Sequence, residues 1–529
     1  MNSCLSRPLL GSIAAATFAA SFISPVLHAA PAPAGTAEAT PKPKATWWEG
    51  VNPYEAPPRP SDGRHMTVTM EKLTGKRKLD RPLLIWALGS SYTNFQGDGS
   101  ELIALIKERF PNAPEIVYKK QVGAAIPYEL LDGWVRHLVT AEQPDVVILY
   151  AIGKPAGLEE TIREIQAATT ADIIVPSIHF RKQRDNLWNK TPENYPPDED
   201  IPAMRVICAK YGVEFVENAA EMAGFMNANN LRPAQMTFDS VHQHSRTRKI
   251  NWMNTARHFN IPDKFAYDPD TRERRIEAGK GEAVTARGFT PAADGKAISA
   301  SAKGASVQVK FKGKRLDVLG AATPDGGSVD VLIDGKPAEE YPAFVATFIQ
   351  PQKTNANKTA NEVAPHGIFI EPNAIPQQWT ITRIGKDPAP PPAGKKVKSI
   401  LTFTDQWTAR TDEDAQLEFE LVGSVTGPDG KGKVTEPFKS TSGQIRLELG
   451  DWRTPESTKA GDKFIFDVKR TTTNPASFRA EQPGPVRTRL AFNLPAGEHT
   501  VTLTTKGDGP VTIEAFEAFE PPRALAREK

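Results

Sequence analysis

Two short segments carry residue types that together make a serine reactive. Ser91 stands in Gly89-Ser90-Ser91, and about 150 residues later comes Asp239-Ser240-Val241-His242. A free serine hydroxyl is a weak nucleophile and needs an adjacent base. Neutral imidazole takes a proton near pH 7, which makes His242 the candidate base. A carboxylate three residues before it can hold the other ring N–H and stabilise the imidazolium, a role open to Asp239. The chemistry of such a set is acyl transfer through Ser91, that is, ester hydrolysis. Each residue alone has a plainer reading: Ser91 as a structural serine after a strand, Asp239 as a turn or cap residue, His242 as a solvated loop histidine. The pairing of the two segments is what points to catalysis.

Other reactive side chains are weaker candidates. His242-Gln243-His244 offers two imidazoles, but no third ligand at a telling spacing, so neither metal nor cofactor is expected. Cys208, flanked by Ile207 and Ala209, reads as a helix core position and not as a reactive thiol. His179 follows a strand and has two readings, a pocket residue or a structural one. Trp407 and Trp452 can stack on sugars or fill a core.

The serine needs a rigid mount. Leu83 to Leu88 is an unbroken apolar run of strand length ending at Gly89, which suits a buried parallel strand closed by a tight turn. In open α/β sheets the carboxyl ends of the strands are where ligands bind. Around this strand the pattern alternates. Leu102, Leu105 and Ile106 form one face of a helix ending near Phe110, and Glu115–Tyr118 reads as a short strand. Leu130, Leu131, Trp134, Val135 and Leu138 recur at helical spacing. Asp145–Tyr150 is a buried strand, and Leu158, Ile162 and Ile165 mark a helix. Asp172–Ile178 and Val213–Val216 are strands four and five, and a last helix covers Arg246 to Phe259. Repeated strand–helix units predict a parallel sheet covered on both faces.

Gly89-Ser90-Ser91 and Asp239-x-x-His242, in this order and this setting, resemble the SGNH (GDSL-type) hydrolases. The resemblance covers about a third of the chain, with Ser90 where the family has aspartate. It implies a three-layer, flavodoxin-like α/β domain, a catalytic set of Ser91, His242 and Asp239, and an oxyanion site. The donors it implies there are the N–H groups of Ser91 and of Gly123, which also reads as a plain turn glycine. The family's next motif, Gly-x-Asn-Asp, is expected near Tyr150-Ala151-Ile152-Gly153, and no asparagine stands there. Asn94 and the Lys154 ammonium are the candidate substitutes. The implied activity is removal of acyl groups such as acetate from carbohydrate. A lipase with the same three residues and a binding protein that has lost activity are the other readings.

The chain has 529 residues, enough for two or three domains. Its 65 basic and 63 acidic residues leave a net charge of +2, so no global field points to nucleic acid or an anionic membrane. Arg7, the apolar stretch Leu9 to Leu27 and Ala32-Pro33-Ala34 predict a secretory signal over 1–34, with cleavage near Ala29 or Ala30 as the alternative. Ser, Gly and Pro25 dilute the stretch, which favours a cleaved leader over a membrane anchor. No later segment is apolar and long enough to span a bilayer. The expected address is periplasmic or extracellular, with an acylated carbohydrate as partner. Residues 35–75 read as a proline-rich linker and 76–264 as the hydrolase domain, self-contained for small esters. After Pro262 period-two alternation takes over, as in Val307, Val309, Phe311 and in Leu417, Phe419, Leu421, with hairpin signals such as Asp334-Gly335. This predicts β-sandwich or jelly-roll structure, divided by the proline-rich stretch 387–396 into modules 265–386 and 397–523. One large sandwich with a proline-rich insertion is the second reading.

Overall fold

The computed structural model of the protein describes residues 52–123, 126–180, 200–239, 241–280, 282–349, 368–371, 374–388, 400–410, 417–426, 438–439, 445–447 and 463–523. The expected signal segment, the start of the linker and Trp452 lie outside the described residues.

The apolar run beginning at Leu83 forms strand β1 (Leu83–Gly89), the second strand of a five-stranded parallel sheet. Its companions are β2 (Ile116–Val122), β3 (Val146–Tyr150), β4 (Asp172–Pro176) and β5 (Glu214–Val216). The order is β2-β1-β3-β4-β5, the flavodoxin-like arrangement. Alternate residues of β1 serve opposite faces. Leu83, Ile85 and Ala87 join one core, with Val146, Ile148, Trp252 and Phe259. Trp86 and Leu88 join the other, with Val147, Leu149, Leu158 and Ile162. A strand buried on both sides cannot show polar alternation, which is why the run is continuous. After β2 the chain crosses β1 to reach β3. The carboxyl ends of β1 and β3 therefore flank the point where strand order reverses, and Ser90-Ser91 follows β1 there.

Helix α1 (Thr67–Leu73) falls inside the expected linker 35–75, yet every residue in it is buried. Met66, Met70 and Leu73 pack into the core, and Thr69 Oγ1 donates to Asp172 Oδ2 at 2.8 Å. The parallel-sheet unit thus begins before residue 76. The helical spacing over 130–138 is realised in pieces: a 3₁₀ turn at Tyr128–Leu130, a single turn at Asp132–Trp134, a π segment at Val135–Val139 and a further turn at Thr140–Glu142. Helix α3 (Ser100–Arg109) and the helix Ser245–Arg257 end within two residues of the expected positions.

The β region is a sandwich, but its modules do not follow one another along the chain. Strand Ser306–Lys312 pairs with Glu498–Thr505, and Arg315–Ala322 lies between Gly484–Ala491 and Val511–Phe519. Two six-stranded sheets enclose one core containing Val307, Val309, Leu316, Val318, Val501, Leu503 and Phe516. Both halves of the expected pair of modules therefore contribute to one sandwich. Between them, residues 344–470 supply a separate five-stranded sheet. In it Gln377–Pro388 and Ile400–Arg410, the strands flanking the proline-rich stretch, pair with each other. The boundary at 387–396 falls within one sheet, and its residues 389–396 lie outside the described ones.

The sandwich is tied to the parallel-sheet unit by arginines. Arg487 Nε and Nη2 donate to Asp80 at 2.7 and 2.8 Å, and Arg489 Nη1 donates to the Ala141 carbonyl at 3.1 Å. Arg523 returns to Gln166, through its N–H at 3.1 Å and its Nε at 2.9 Å.

Candidate active site

Gly89 lets β1 end against β3. A side chain there would collide with the Tyr150 carbonyl oxygen and with Thr93 Oγ1. Thr93 Oγ1 donates to that carbonyl at 2.7 Å, which anchors the short helix α2 (Ser91–Phe95) over the strand ends. Ser90 is wholly buried and caps α2: its Oγ accepts the Tyr92 N–H at 3.3 Å. Ser90 thus faces inward and supports the turn, while Ser91 stays partly exposed.

The loop 236–244 brings up the other two groups. His244 N–H donates to Met236 O at 3.0 Å and Phe238 N–H to His242 O at 3.2 Å, which closes the loop on itself. Gln243 Nε2 donates to Tyr92 O at 2.9 Å, which ties it to the residue after Ser91. His242 Nε2 then lies 2.9 Å from Ser91 Oγ, and His242 Nδ1 lies 2.5 Å from Asp239 Oδ2. Asp239 Oδ1 accepts the backbone N–H groups of Val241 at 3.1 Å and His242 at 2.7 Å. What burial Asp239 has works against its charge. The His242 ring and these two N–H groups outweigh it and hold the carboxyl below the usual carboxylate range. Ser91, His242 and Asp239 are thus brought into one hydrogen-bonded run.

Gly123 differs from expectation. Its N–H donates to Gly89 O at 3.2 Å, continuing the β1–β2 ladder. In this structure that donor is spent on the sheet and is not free for an oxyanion. Ile152, in the segment where an asparagine is expected from the resemblance, packs against the buried cluster of Tyr92, Tyr150 and Ile178. Asn94 Oδ1 accepts from Lys120 Nζ at 3.2 Å, and the Lys154 backbone N–H donates to Glu129 at 3.2 Å. Neither is joined to the run of three. His244 caps the helix Ser245–Arg257 through its ring nitrogen. Among the described residues no group of three His, Cys, Asp or Glu is gathered to hold a metal ion. Cys208 is fully buried, and that burial pushes its thiol well above the ordinary range.

Sequence reasoning missed the aromatic walls. The His242 ring clusters with Phe95, at a centroid distance of 4.4 Å, and with Phe238, 5.9 Å away and stacked at 23°, the two phenylalanine rings being 5.1 Å from each other. Phe238 is 55% exposed although it directly precedes Asp239. An apolar residue in a loop carries no period to read, so only its adjacency to Asp239 could have marked it.

No family model matches the chain, and comparison with curated proteins finds no similar sequence. Solved structures are similar to it at low identity. A two-domain esterase (CEX) active on acetylated mannans matches with 12% identity over 84% of this chain and 95% of its own, at a TM-score of 0.31. The same esterase co-crystallized with mannopentaose matches with 10% identity over 90% and 99%, at 0.30. Axe2, an acetylxylan esterase from Geobacillus stearothermophilus, matches with 16% identity over 36% of this chain and 100% of its own, at 0.29. No helix among the described residues is long and apolar enough to cross a membrane.

Proposed function

We propose that this chain is an exported serine esterase of SGNH type that removes acyl groups, acetate foremost, from carbohydrate. One observation carries the reading: the unbroken run from Asp239 Oδ2 through the His242 ring to Ser91 Oγ, at 2.5 and 2.9 Å. The export address rests on the N-terminal sequence, and the acetyl and carbohydrate parts rest on the family resemblance.

In this reading Ser91 Oγ attacks the acyl carbon while His242 Nε2 takes its proton. Asp239 holds the imidazolium that forms. The Ser91 N–H stabilises the negative charge on the former carbonyl oxygen. Collapse of the tetrahedral intermediate breaks the bond to the sugar oxygen, which takes the proton from His242. Water then attacks the acyl-serine by the same route, releasing the carboxylic acid and restoring Ser91.

A fluorophosphonate probe tests this. Wild-type protein should label at Ser91 and hydrolyse a small activated acetate ester, and Ser91→Ala should do neither. Failure of the wild type to label would leave the binding-protein reading in its place.

A further inference from the structure

Behind the Asp239–His242 loop runs a set of buried polar groups to which the hydrolysis scheme gives no role. Asn251 Nδ2 donates to the Tyr150 hydroxyl at 3.3 Å. That hydroxyl lies 2.6 Å from His179 Nδ1, and His179 Nε2 lies 2.8 Å from the Val241 carbonyl oxygen. Asn251 and His179 are 0% exposed and Tyr150 1%. Polar groups this deep are costly unless they bond each other, so the run is a specific feature of the interior.

Chemistry fixes its direction. A carbonyl oxygen only accepts, so His179 Nε2 carries the proton that meets Val241. In the neutral ring Nδ1 then accepts, and the Tyr150 O–H donates to it. Burial holds the Tyr150 phenol protonated, and the phenol oxygen accepts from Asn251. Donation therefore runs from Asn251 through Tyr150 and His179 to Val241. The Val241 carbonyl and the His242 N–H are two ends of one peptide group. That N–H donates to Asp239 Oδ1 at 2.7 Å, and Asp239 Oδ2 holds His242 Nδ1. A bond received at the carbonyl polarises the amide and strengthens its donation at the other end. The Tyr92 ring, edge-on to His179 with centroids 4.7 Å apart, packs the imidazole from the side of Ser91.

We propose that His179, oriented by Tyr150 and Asn251, is a positioning residue that fixes the 241–242 peptide, and through it the Asp239 carboxylate, for the Ser91 chemistry. The proposal rests on the hydrolase reading above. It is tested in the full chain with His179→Leu, His179→Gln and Tyr150→Phe, with folding checked by circular dichroism and melting. kcat and KM are measured on a small acetate ester. His179→Leu should lower kcat about 10–100-fold, the size seen when a partner behind a catalytic ligand is lost, with KM within about twofold of wild type. His179→Gln keeps an N–H that can reach Val241 and should recover most of that loss. Tyr150→Phe frees the imidazole tautomer and should lower kcat several-fold, roughly 3–10-fold, again without moving KM. A folded His179→Leu with kcat within twofold of wild type overturns the proposal, as does His179→Gln no faster than His179→Leu. Should His179→Leu fail to fold, unchanged kcat in Tyr150→Phe overturns it. Failure of the hydrolase reading looks different: Ser91→Ala then keeps its turnover, or the wild type neither turns over nor labels, and both proposals fall together.

Discussion

Lys72 and Glu273 form an ion pair at 2.9 Å across 201 residues of chain. Lys72 belongs to the helix before the parallel sheet, and Glu273 opens the first strand after it. The same ammonium lies 2.7 Å from Asp145, and Glu273 also accepts the Thr170 hydroxyl at 2.8 Å. Beside them Arg272 Nη1 and the Tyr267 hydroxyl both meet the buried Asp172, the former at 3.1 Å. The floor of the parallel sheet is therefore completed by residues 267–273, beyond the expected domain end at 264.

A fragment ending at Asp263 should not fold. It keeps Lys72 but loses Glu273, and keeps Asp172 but loses Arg272 and Tyr267, and breaking a buried pair costs about 3–5 kcal/mol. Two such losses consume much of a typical stability of roughly 5–15 kcal/mol. Circular dichroism and thermal melting of the fragment test this. A soluble fragment with a cooperative transition and wild-type turnover of a small ester would refute it.

Asp145 should make the protein acid-sensitive. Burial alone would raise its carboxyl, but Lys72 and Arg81, each within 2.7 Å, outweigh that and hold it far below the usual range. Its folded value lies below the unfolded one of about 3.9, so its contribution is complete above that value and is lost as pH falls through the folded value. Glu214, gripped by His258 and by the N–H groups of Gly63 and His65, has the same sign despite its burial. Asp172 has the opposite sign, since its burial raises it. Melting temperature should drop steeply below about pH 4. Asp145→Asn should cost about 3–5 kcal/mol at neutral pH, because the buried Lys72 and the half-buried Arg81 lose the carboxylate they share, and should flatten the acid limb. Equal acid limbs in the variant and wild type would show that other groups set them.

Ser91→Ala and His242→Ala should each lower kcat on an activated acetate ester by about 10⁴-fold or more, and the double variant by little more than either. Asp239→Asn should lose about 10³–10⁴-fold, since it presents the wrong partner to the ring N–H. Additive losses in the double variant would mean that the residues do not act as one unit.

Ile152→Asn should not supply an oxyanion donor. The Ile152 side chain packs on Tyr92, Tyr150 and Ile178, and its carbonyl accepts the Tyr128 N–H at 2.9 Å. An amide introduced at this half-buried position is partly desolvated, at a cost of up to about 1–3 kcal/mol. The variant should melt earlier with kcat no higher than wild type. A raised kcat would show that position 152 reaches the substrate oxygen.

Legibility in the sequence followed the range of the interaction. β1 was readable because a strand buried on both faces is apolar throughout, and the sandwich strands because one apolar face gives period two. Helix α1 was not, because its buried Thr69 and Lys72 look like linker residues until Asp172 and Asp145 are brought to them. Alternation along Ser306–Lys312 reveals which side is inward, but not that the partner strand begins at Glu498. Ser91, Asp239 and His242 could be named because local motifs carry them. The contact of His179 is not legible, since its bond to Val241 spans 62 residues and belongs to no motif. The Gly123 N–H depends on the exact end of the β1–β2 ladder, and β2 runs on to Val122, past the expected end at Tyr118.

The interruption of the sandwich by residues 344–470 sets a timetable for synthesis. Val331 pairs with Leu503, 172 positions later. At about 5–20 residues per second, a ribosome needs roughly 10–30 s between making the two. Throughout that interval Ser306–Lys312 and Ser328–Ile333 lack the strand Glu498–Thr505 that lies between them, and their edges stand open to any other chain. The first half of the sandwich is thus born long before it can close. Chaperone dependence and aggregation of this protein should track the arrival of its last strands rather than the completion of its parallel sheet.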